Sequence, residues 1–217
     1  MWTYAVVIVI VFVVIATAHS WYLNKQRREM WEAVARRYGF GYRRDDPIDI
    51  PAQYQNFALF QEGHSRKASN FLEGTYHGTW VQLFDYRYTT DNGDDETTHE
   101  LSALIARLDI QCPYLLIRPE KFFDKIGGLL GFDDIDFEYE EFNRRFYVKG
   151  PDKKFAYDIC HTGMMDYLLQ REQLTWELCG NCLLFYGLGT FDPAEIDYSL
   201  NAVAGFLGQI PQYLRKG

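Results

Sequence analysis

The first 23 residues limit the possible fold of this chain more than any other segment, because they form an almost unbroken apolar run. Between Trp2 and Leu23 the only side chain that titrates near neutral pH is His19. An α-helix rises about 1.5 Å per residue, so about 20 residues cross the roughly 30 Å hydrocarbon core of a bilayer. Aromatic residues lie near both ends, as in the interfacial belts of membrane helices: Trp2, Tyr4, Trp21 and Tyr22. We therefore expect residues 1–23 to be a transmembrane anchor.

Two other interpretations of this run stay open at the level of the sequence. Ala16-Thr17-Ala18 satisfies the small-x-small rule for cleavage of a secretory signal peptide, but Met1–Tyr4 contains no basic side chain. A buried helix of a soluble domain is disfavoured by the length of the run and by its lack of a polar face. The uncleaved anchor is the interpretation that we favour.

Basic residues are concentrated directly after the apolar run. Residues 24–44 contain seven Lys and Arg residues against Glu29 and Glu32, a net charge of +5. Basic residues beside a membrane span are retained in the cytoplasm. The pattern thus predicts a single-pass protein of the cell inner membrane whose C-terminal domain is cytoplasmic. The helical spacing of Met30, Trp31 and Val34 continues the helix from Asn24 to Tyr38, and Gly39 and Gly41 are expected to stop it. We assign residues 24–44 to a basic juxtamembrane helix with this stop near its end.

The remaining residues, 45–217, are strongly acidic, with a net charge of −13. An acidic surface lacks the basic footprint that nucleic acid needs, so nucleic acid is excluded as a partner. The hydrophobic content of 47% suffices for a packed core. We expect residues 45–217 to form an acidic globular domain that begins after a linker near Asp45–Pro51. The juxtamembrane segment should hold this body away from an anionic membrane surface.

Alternating apolar residues predict antiparallel hairpins in this domain. Asn70–Thr90 is expected to turn near His77-Gly78, and Asn92-Gly93 is expected to be a second turn before a strand at Leu101–Leu108. Helices are expected after Pro151 and after the Asp192-Pro193 pair, which has the order of an N-cap and a first helical residue. The predicted fold class is α+β: a transmembrane helix followed by an antiparallel-sheet domain covered on one side by packed helices.

Two further segments of the domain have local signals. The apolar phase of "DIDFEYEEFNRRFYV" changes at Glu140-Glu141, which implies a bulge or a loop, since a strand cannot change faces without one. Pro119-Glu120 is expected to begin a helix whose apolar face is formed by Phe122, Phe123, Ile126, Leu129 and Leu130.

The motif that most resembles a chemical site is Cys179-Gly180-Asn181-Cys182. Gly-Asn is a favoured type II′ pair, so we predict the tip of a β-hairpin in which Cys179 lies opposite Cys182. A zinc site would need two more ligands, which do not occur as a second close pair, and a thioredoxin-like motif would begin a helix. Metal binding and redox cycling are therefore the less favoured alternatives.

Other groups of polar residues give weaker signals. The acidic segment Asp91–Glu96 lacks the ligand spacing of a calcium loop, so we expect a solvated turn. Glu140, Glu141, Arg144 and Arg145 are expected on an exposed strand edge, and His64, His77, His99 and His161 have no triad or metal-helix spacing. Nucleotide-binding and hydrolase motifs do not occur in the sequence. We therefore assign no catalytic, cofactor-binding or metal-binding residue, and we expect no cofactor.

Several short motifs, in a fixed order, resemble those of a group of uncharacterised bacterial membrane-anchored proteins. The matching residues are Gly63 and Arg66, Phe84-Asp85-Tyr86 with Tyr88, Arg118-Pro119-Glu120, and Asp134-Ile135-Asp136-Phe137. The resemblance covers roughly residues 57–187. It implies a bacterial membrane-anchored domain, and it carries over no activity, cofactor or catalytic residue.

These features favour a non-enzymatic interaction or scaffold protein whose partners are the membrane lipid bilayer and an unidentified protein. The alternative is a hydrolase or another enzyme that uses dispersed acidic residues such as Asp85, Glu120 and Asp136. Such an enzyme requires a pocket that brings these carboxylates together. A binder of a lipid or of a small ligand is a third hypothesis.

Overall fold

The structure of the protein is a computed structural model that describes residues 2–93, 95–120 and 134–216. The α-helices are α1 (Trp2–Tyr38), α2 (Ile50–Gln53), α3 (Glu140–Arg145), α4 (Lys153–Ile159), α5 (Thr162–Leu169) and α6 (Ile196–Gln209). The strands are β1 (Gly41–Asp45), β2 (His64–Tyr76), β3 (Thr79–Asn92), β4 (Asp95–Pro119), β5 (Phe146–Lys149) and β6 (Leu174–Gly187). Short 3₁₀ helices cover Ala58–Gln61, Pro193–Glu195 and Gln212–Lys216. The apolar helix predicted around Phe122–Leu130 lies outside the described residues.

The strands form one antiparallel sheet, and the predicted α+β class is confirmed. The order is β1-β2-β3-β4-β5, and β6 also pairs with β4. The long strand β4 is central, because its first part pairs with β3, its last part pairs with β5, and β6 runs along it from Ala103 to Ile117.

The two predicted hairpin turns are confirmed. Tyr76 lies opposite Thr79 across His77-Gly78, and both turn residues have positive φ (47° and 82°), as a type I′ turn requires. Asn92 lies opposite Asp95 at the second turn. The alternation along β3, with the turn residues beyond its two ends, therefore predicted the strand and the positions of both turns.

The sheet is covered on both faces, whereas helices on one side only were expected. The larger core, on the face of Val81 and Leu83, includes the second half of α1 together with α4, α5 and α6. The opposite face carries Phe84 and Tyr86 of β3, and α2 and the 3₁₀ helix Ala58–Gln61 cover it. A strand whose two faces are both apolar must be buried on both sides. This explains why α2 and the 3₁₀ helix form a second layer over the opposite face of the sheet.

The predicted hairpin at Cys179–Cys182 is wrong, because Leu174–Gly187 is one continuous strand. Gly180 has the positive φ (58°) that a tight turn would also need. Here, however, Arg107 lies opposite Cys182 and Leu115 lies opposite Leu178, so the seven residues of β4 between these pairs lie opposite three of β6. The irregular register changes which side chains point inward. The same core therefore contains Trp176 and Leu178, which precede Gly180, and Leu183 and Phe185, which follow it.

The phase change at Glu140-Glu141 has a different cause from the predicted bulge or loop. These residues begin the short helix α3, which leads directly into β5. The two glutamates lie in its first turn and Arg144 and Arg145 in its last turn, which suits the helix dipole. The expected exposed strand edge is therefore a helix. On it Arg145 pairs with Glu141 at 2.9 Å.

Helix α1 continues without a break from the apolar run into the core of the body. It ends at Tyr38, where the stop was predicted, and Gly39 follows with φ of 69°. The last part of the basic segment 24–44 is therefore not helical, and Gly41–Asp45 forms β1. Trp31 on α1 is fully buried.

The segment predicted as a linker, Asp45–Pro51, is folded into the body. Ile50 is fully buried. The carboxylate of Asp46 accepts hydrogen bonds from the backbone N–H of Ile48 (3.0 Å) and Ile50 (2.6 Å), which fixes the segment after β1. The body thus packs directly on the helix that carries the apolar run.

We predict that Gly180→Val lowers the free energy of unfolding by about 1–3 kcal/mol, because a β-branched residue resists positive φ. Cys179→Ser and Cys182→Ser are the matched controls and should cost less, since both side chains are only half-buried. Urea unfolding of the full chain in mild detergent measures the difference. Equal stability of Gly180→Val and the wild type would contradict the positive φ assigned to Gly180 in the irregular strand.

Candidate functional site

The contact between α1 and the sheet is built around the carboxylate of Asp85. Alternation along β3 points this residue to the same face as Val81 and Leu83, towards α1. Only 11% of its side chain is exposed. The donors to its two oxygens are Arg27 Nε (2.7 Å), Arg27 Nη2 (2.6 Å), Asn70 Nδ2 (2.8 Å), Ser102 Oγ (2.5 Å) and Trp31 Nε1 (3.3 Å). Both carboxylate oxygens are thus satisfied by donors from two neighbouring strands, β2 and β4, and from helix α1.

Arg27 connects the same cluster to the segment before α6. Its Nη1 donates to the backbone carbonyl of Phe191 at 3.1 Å, and its Nη2 donates to Ser102 Oγ at 3.1 Å. Ser102 Oγ in turn accepts from the N–H of Phe191 at 2.9 Å. The guanidinium carbon lies 5.5 Å from the centre of the Trp31 ring, within cation–π range. We call Arg27, Trp31, Asn70, Asp85 and Ser102 the junction cluster.

The junction cluster lies close to the end of the apolar run. Arg27 is four residues beyond Leu23, which corresponds to about 6 Å along the helix axis. The bidentate geometry of this Arg–carboxylate pair adds directional specificity to its charge attraction. The sheet is therefore fixed to α1 within about one helical turn of the last apolar residue.

The last turn of α1 makes a second set of polar contacts, with the start of α6. Arg37 pairs with Asp197 at 2.8 Å, and the Tyr38 hydroxyl donates a hydrogen bond to the same carboxylate. Burial and this hydrogen bond raise the pKa of Tyr38 to about 12, so the hydroxyl stays protonated at neutral pH. Polar contacts thus attach the second half of α1 to the body at both ends, at Arg27 and at Arg37.

A cleft of about 410 Å³ lies beside the junction cluster, on the side of the apolar run. We call it the basic cleft. Its walls include Trp21 and Asn24 of α1. Five cationic side chains line it, Arg27, Arg28, Arg44, Lys67 and Arg87, against three carboxylates, Asp45, Asp85 and Glu100.

The three carboxylates of the enzyme hypothesis lie in different places. Asp85 belongs to the junction cluster and lines the basic cleft, whereas Glu120 lines a separate cleft of about 820 Å³. Asp136 is exposed on the surface and lines neither cleft. The structure therefore does not bring these residues together, and it gives no support to a shared acid–base site among them.

The four cysteines are free thiols in two kinds of surroundings. Cys112 and Cys160 are buried, and burial raises the pKa of Cys112 to about 12. Cys179 and Cys182 are partly exposed, and burial also raises the pKa of each of these thiols. Metal ligands and nucleophiles are thiolates, which a raised pKa disfavours.

The acidic turn brings together one group with metal-ligating side chains. His64, Asp91 and Glu96 each place a ligand atom within 4.8 Å of the others. All three are exposed, and His64 Nε2 lies 3.2 Å from Asp91 Oδ1. Two other histidines have structural contacts, since His99 Nε2 is 2.8 Å from Thr90 Oγ1 and His161 Nε2 is 2.9 Å from the carbonyl of Gln209.

Sequence reasoning missed a fully buried carboxylate, Glu177 in β6. Its oxygens accept from the N–H groups of Ala58 (2.7 Å) and Leu59 (3.3 Å) and from the hydroxyls of Tyr114 (2.9 Å) and Tyr186 (3.0 Å). Burial raises its pKa. This carboxylate holds the 3₁₀ helix Ala58–Gln61 on the second face of the sheet. The signal in the sequence is a single charged residue inside the apolar run of β6.

Several residues of the recurring motifs have structural roles. Gly63 has φ of 53°, and a Cβ at this position would lie 2.0 Å from the carbonyl oxygen of Thr89. The Arg66 guanidinium donates to the carbonyls of Gln61, Glu62 and Gly63 at 2.5–2.9 Å. Arg118 is buried, with its guanidinium carbon 4.9 Å from the centre of the Tyr147 ring. Asp85 is the motif residue that connects the sheet to α1.

The chain matches no protein-family model and no curated protein sequence. In fold it is similar to the crystal structure of the mycobacterial trehalose monomycolate transport factor A, TtfA, with a TM-score of 0.61 and 14% sequence identity. The similarity covers 87% of this chain and 96% of that chain. At this identity the comparison shows a shared fold.

We predict that Asp85→Asn lowers the free energy of unfolding by about 2–4 kcal/mol, because it leaves the Arg27 guanidinium without its counter-charge. The loss is smaller than for a fully buried pair, since Arg27 is 21% exposed. Asp45→Asn, at an exposed position in the same cleft, is the control and should change stability by about 0.5 kcal/mol or less. Chemical unfolding of the full chain in mild detergent measures both. Similar values for the two variants would contradict a structural role of the Arg27–Asp85 pair.

Proposed function

We propose that the protein is a membrane-anchored, non-enzymatic interaction domain whose body lies on the cytoplasmic surface of the membrane. The observation that carries this proposal is the continuity of α1. One helix contains a window long and apolar enough to cross a membrane, none of which is buried in the body, and the same helix then enters the core at Trp31. A partner bound to this body would be held at a fixed position relative to the bilayer.

The exposure of the apolar part of α1 supports the anchor. The aliphatic residues from Val6 to Ile15 are each at least half exposed, and Phe12 is 72% exposed. Such a continuous apolar surface is unfavourable in water and favourable in hydrocarbon. Inside the bilayer the helix also satisfies its own backbone hydrogen bonds.

The charge asymmetry supports the orientation. Residues 24–44, with a net charge of +5, follow the apolar run directly, and such residues are retained on the cytoplasmic side of a membrane. In that compartment the four free cysteines stay reduced.

The fixed position of the body indicates where its partner lies. Because the junction cluster attaches the sheet about one helical turn beyond the apolar run, the reachable partners are proteins in the membrane or on its surface. The protein of similar fold is described as a transport factor. We take this as support for an accessory role beside another membrane protein, and we propose such a protein as the partner.

Affinity purification of the full chain from membranes dissolved in mild detergent tests the proposed partner. We expect a membrane protein in a fixed molar ratio to the chain, since an accessory domain works in a defined complex. The Asp85→Asn variant is the matched comparison and should retain less of the partner, because the body is no longer fixed to α1. A chain that purifies alone from chemically cross-linked membranes would contradict the interaction function.

Thiol labelling in intact cells tests the orientation. A maleimide that cannot cross the membrane should label none of the cysteines until the cells are permeabilised. It should then react with Cys179 and Cys182, which are partly exposed, and spare the buried Cys112 and Cys160. The double variant Cys179→Ser, Cys182→Ser should lose the signal. Labelling before permeabilisation would place the body on the opposite side.

A further inference from the structure

The basic cleft opens at the level where the headgroups of a bilayer would lie. Trp21 and Asn24, which line it, flank Leu23 at the end of the apolar run. The polar layer of a bilayer extends about 5–8 Å beyond the hydrocarbon core on each side. Over the same distance α1 advances about four residues, from Leu23 to Arg27. The cleft and the headgroups therefore occupy the same layer.

Four cations of the cleft have no acidic partner among the residues that the structure describes. Among the described residues, no carboxylate lies within ion-pair distance of Arg28, Arg44, Lys67 or Arg87. Arg28 bonds only to the backbone carbonyl of Asn24, at 3.2 Å. Arg44, Lys67 and Arg87 are exposed. This arrangement contrasts with the rest of the body, where acidic residues are in excess.

Two of these cations lie directly opposite each other. Lys67 of β2 and Arg87 of β3 are cross-strand partners. Like charges in this position are unfavourable unless an anion lies between them. On its other side Arg87 lies opposite Glu100 of β4. Of the described acidic residues in the cleft, Asp85 is already bound by Arg27, so Asp45 and Glu100 remain to offset the charge of four cations.

We propose that the basic cleft binds the phosphate headgroup of an anionic phospholipid from the bilayer that surrounds α1. The proposal rests on α1 being a membrane anchor, as proposed above. Guanidinium groups match the geometry of a phosphate, with Arg28, Arg44 and Arg87 available as donors. The acyl chains would lie along the exposed apolar surface of α1, beside Trp21.

The source of the phosphate follows from the position of the cleft. A free phosphate would gain nothing from the neighbouring apolar helix, whereas a lipid contacts both the cations and the apolar run. The bound lipid would also belong to an anionic surface opposite the cationic side of this otherwise acidic body, and such a surface attracts basic residues.

Fluorescence anisotropy of the full chain with a labelled short-chain phosphatidylglycerol, in a neutral detergent, tests the proposal. The main variant is Arg44→Gln, Lys67→Gln, Arg87→Gln, which alters exposed residues outside the junction cluster. We expect its affinity to fall about 100-fold, because each basic residue near an anionic surface contributes about fivefold. The single variant Lys67→Gln should lose about fivefold, and it decides the question if the triple variant does not fold.

The matched control is Arg36→Gln, Lys153→Gln, Lys154→Gln, which removes the same charge from exposed positions outside the cleft. It should bind like the wild type. Unlabelled phosphatidylglycerol should displace the probe, whereas phosphatidylcholine and inorganic phosphate at the same concentration should not.

Three results would overturn the proposal: equal affinity of the cleft variants and the wild type, equal loss in the control, or displacement of the probe by inorganic phosphate alone. Extraction of cell membranes with alkaline carbonate tests the anchor separately. Release of the wild-type chain would contradict the proposed function, while the anisotropy result would still decide whether the cleft binds the lipid.

Discussion

The ion pair between Arg27 and Asp85 decides where the body of this protein lies relative to the apolar run. Arg27 comes from the part of α1 just beyond that run, and Asp85 comes from the middle of a central strand. The pair is surrounded by Trp31, Asn70 and Ser102, which fill the remaining hydrogen-bonding positions of the carboxylate. Because it joins residues 58 positions apart, the pair makes the juxtamembrane helix a part of the folded core.

This attachment changes the expected relation between the acidic body and the membrane. A flexible juxtamembrane segment would allow the body, with its net charge of −13, to move away from an anionic surface. In the function proposed above, a body fixed about one helical turn beyond the apolar run cannot move away from the membrane, and it must instead present a compatible face. Arg44, Lys67 and Arg87 lie on the side of the body that the junction cluster turns towards the apolar run. The basic residues of the body therefore lie on the side that its attachment to α1 directs towards the apolar run.

The sequence allowed the prediction of features that depend on local periodicity. The length of the apolar run predicted a long helix, which α1 confirms, and the alternation in β3 with His77-Gly78 and Asn92-Gly93 predicted two hairpins and the positions of their turns. The Cys179–Cys182 prediction failed because positive φ at Gly180 occurs in turns and in irregular strands alike. Only the pairing with β4, which is distant in the chain, distinguishes them.

The junction cluster could not be predicted for the same reason. Asp85 follows Val81 and Leu83 on one face of β3, next to the cationic Arg87, and Arg27 is one of seven basic residues in its segment. No local pattern identifies the two as partners, because the contact depends on how β3 and α1 pack. Glu177 is comparable, since its four donors come from three separate segments.

Pulsed electron paramagnetic resonance in lipid nanodiscs tests most directly whether α1 and the body form one rigid unit. Spin labels would be placed at Lys25→Cys on α1 and Lys153→Cys on α4, both exposed positions, in a chain with Cys179 and Cys182 changed to Ser. The account predicts a single narrow distance distribution, because the junction cluster fixes the sheet to the helix. A broad distribution in the folded protein would show a flexible connection beyond the apolar run and would contradict the account.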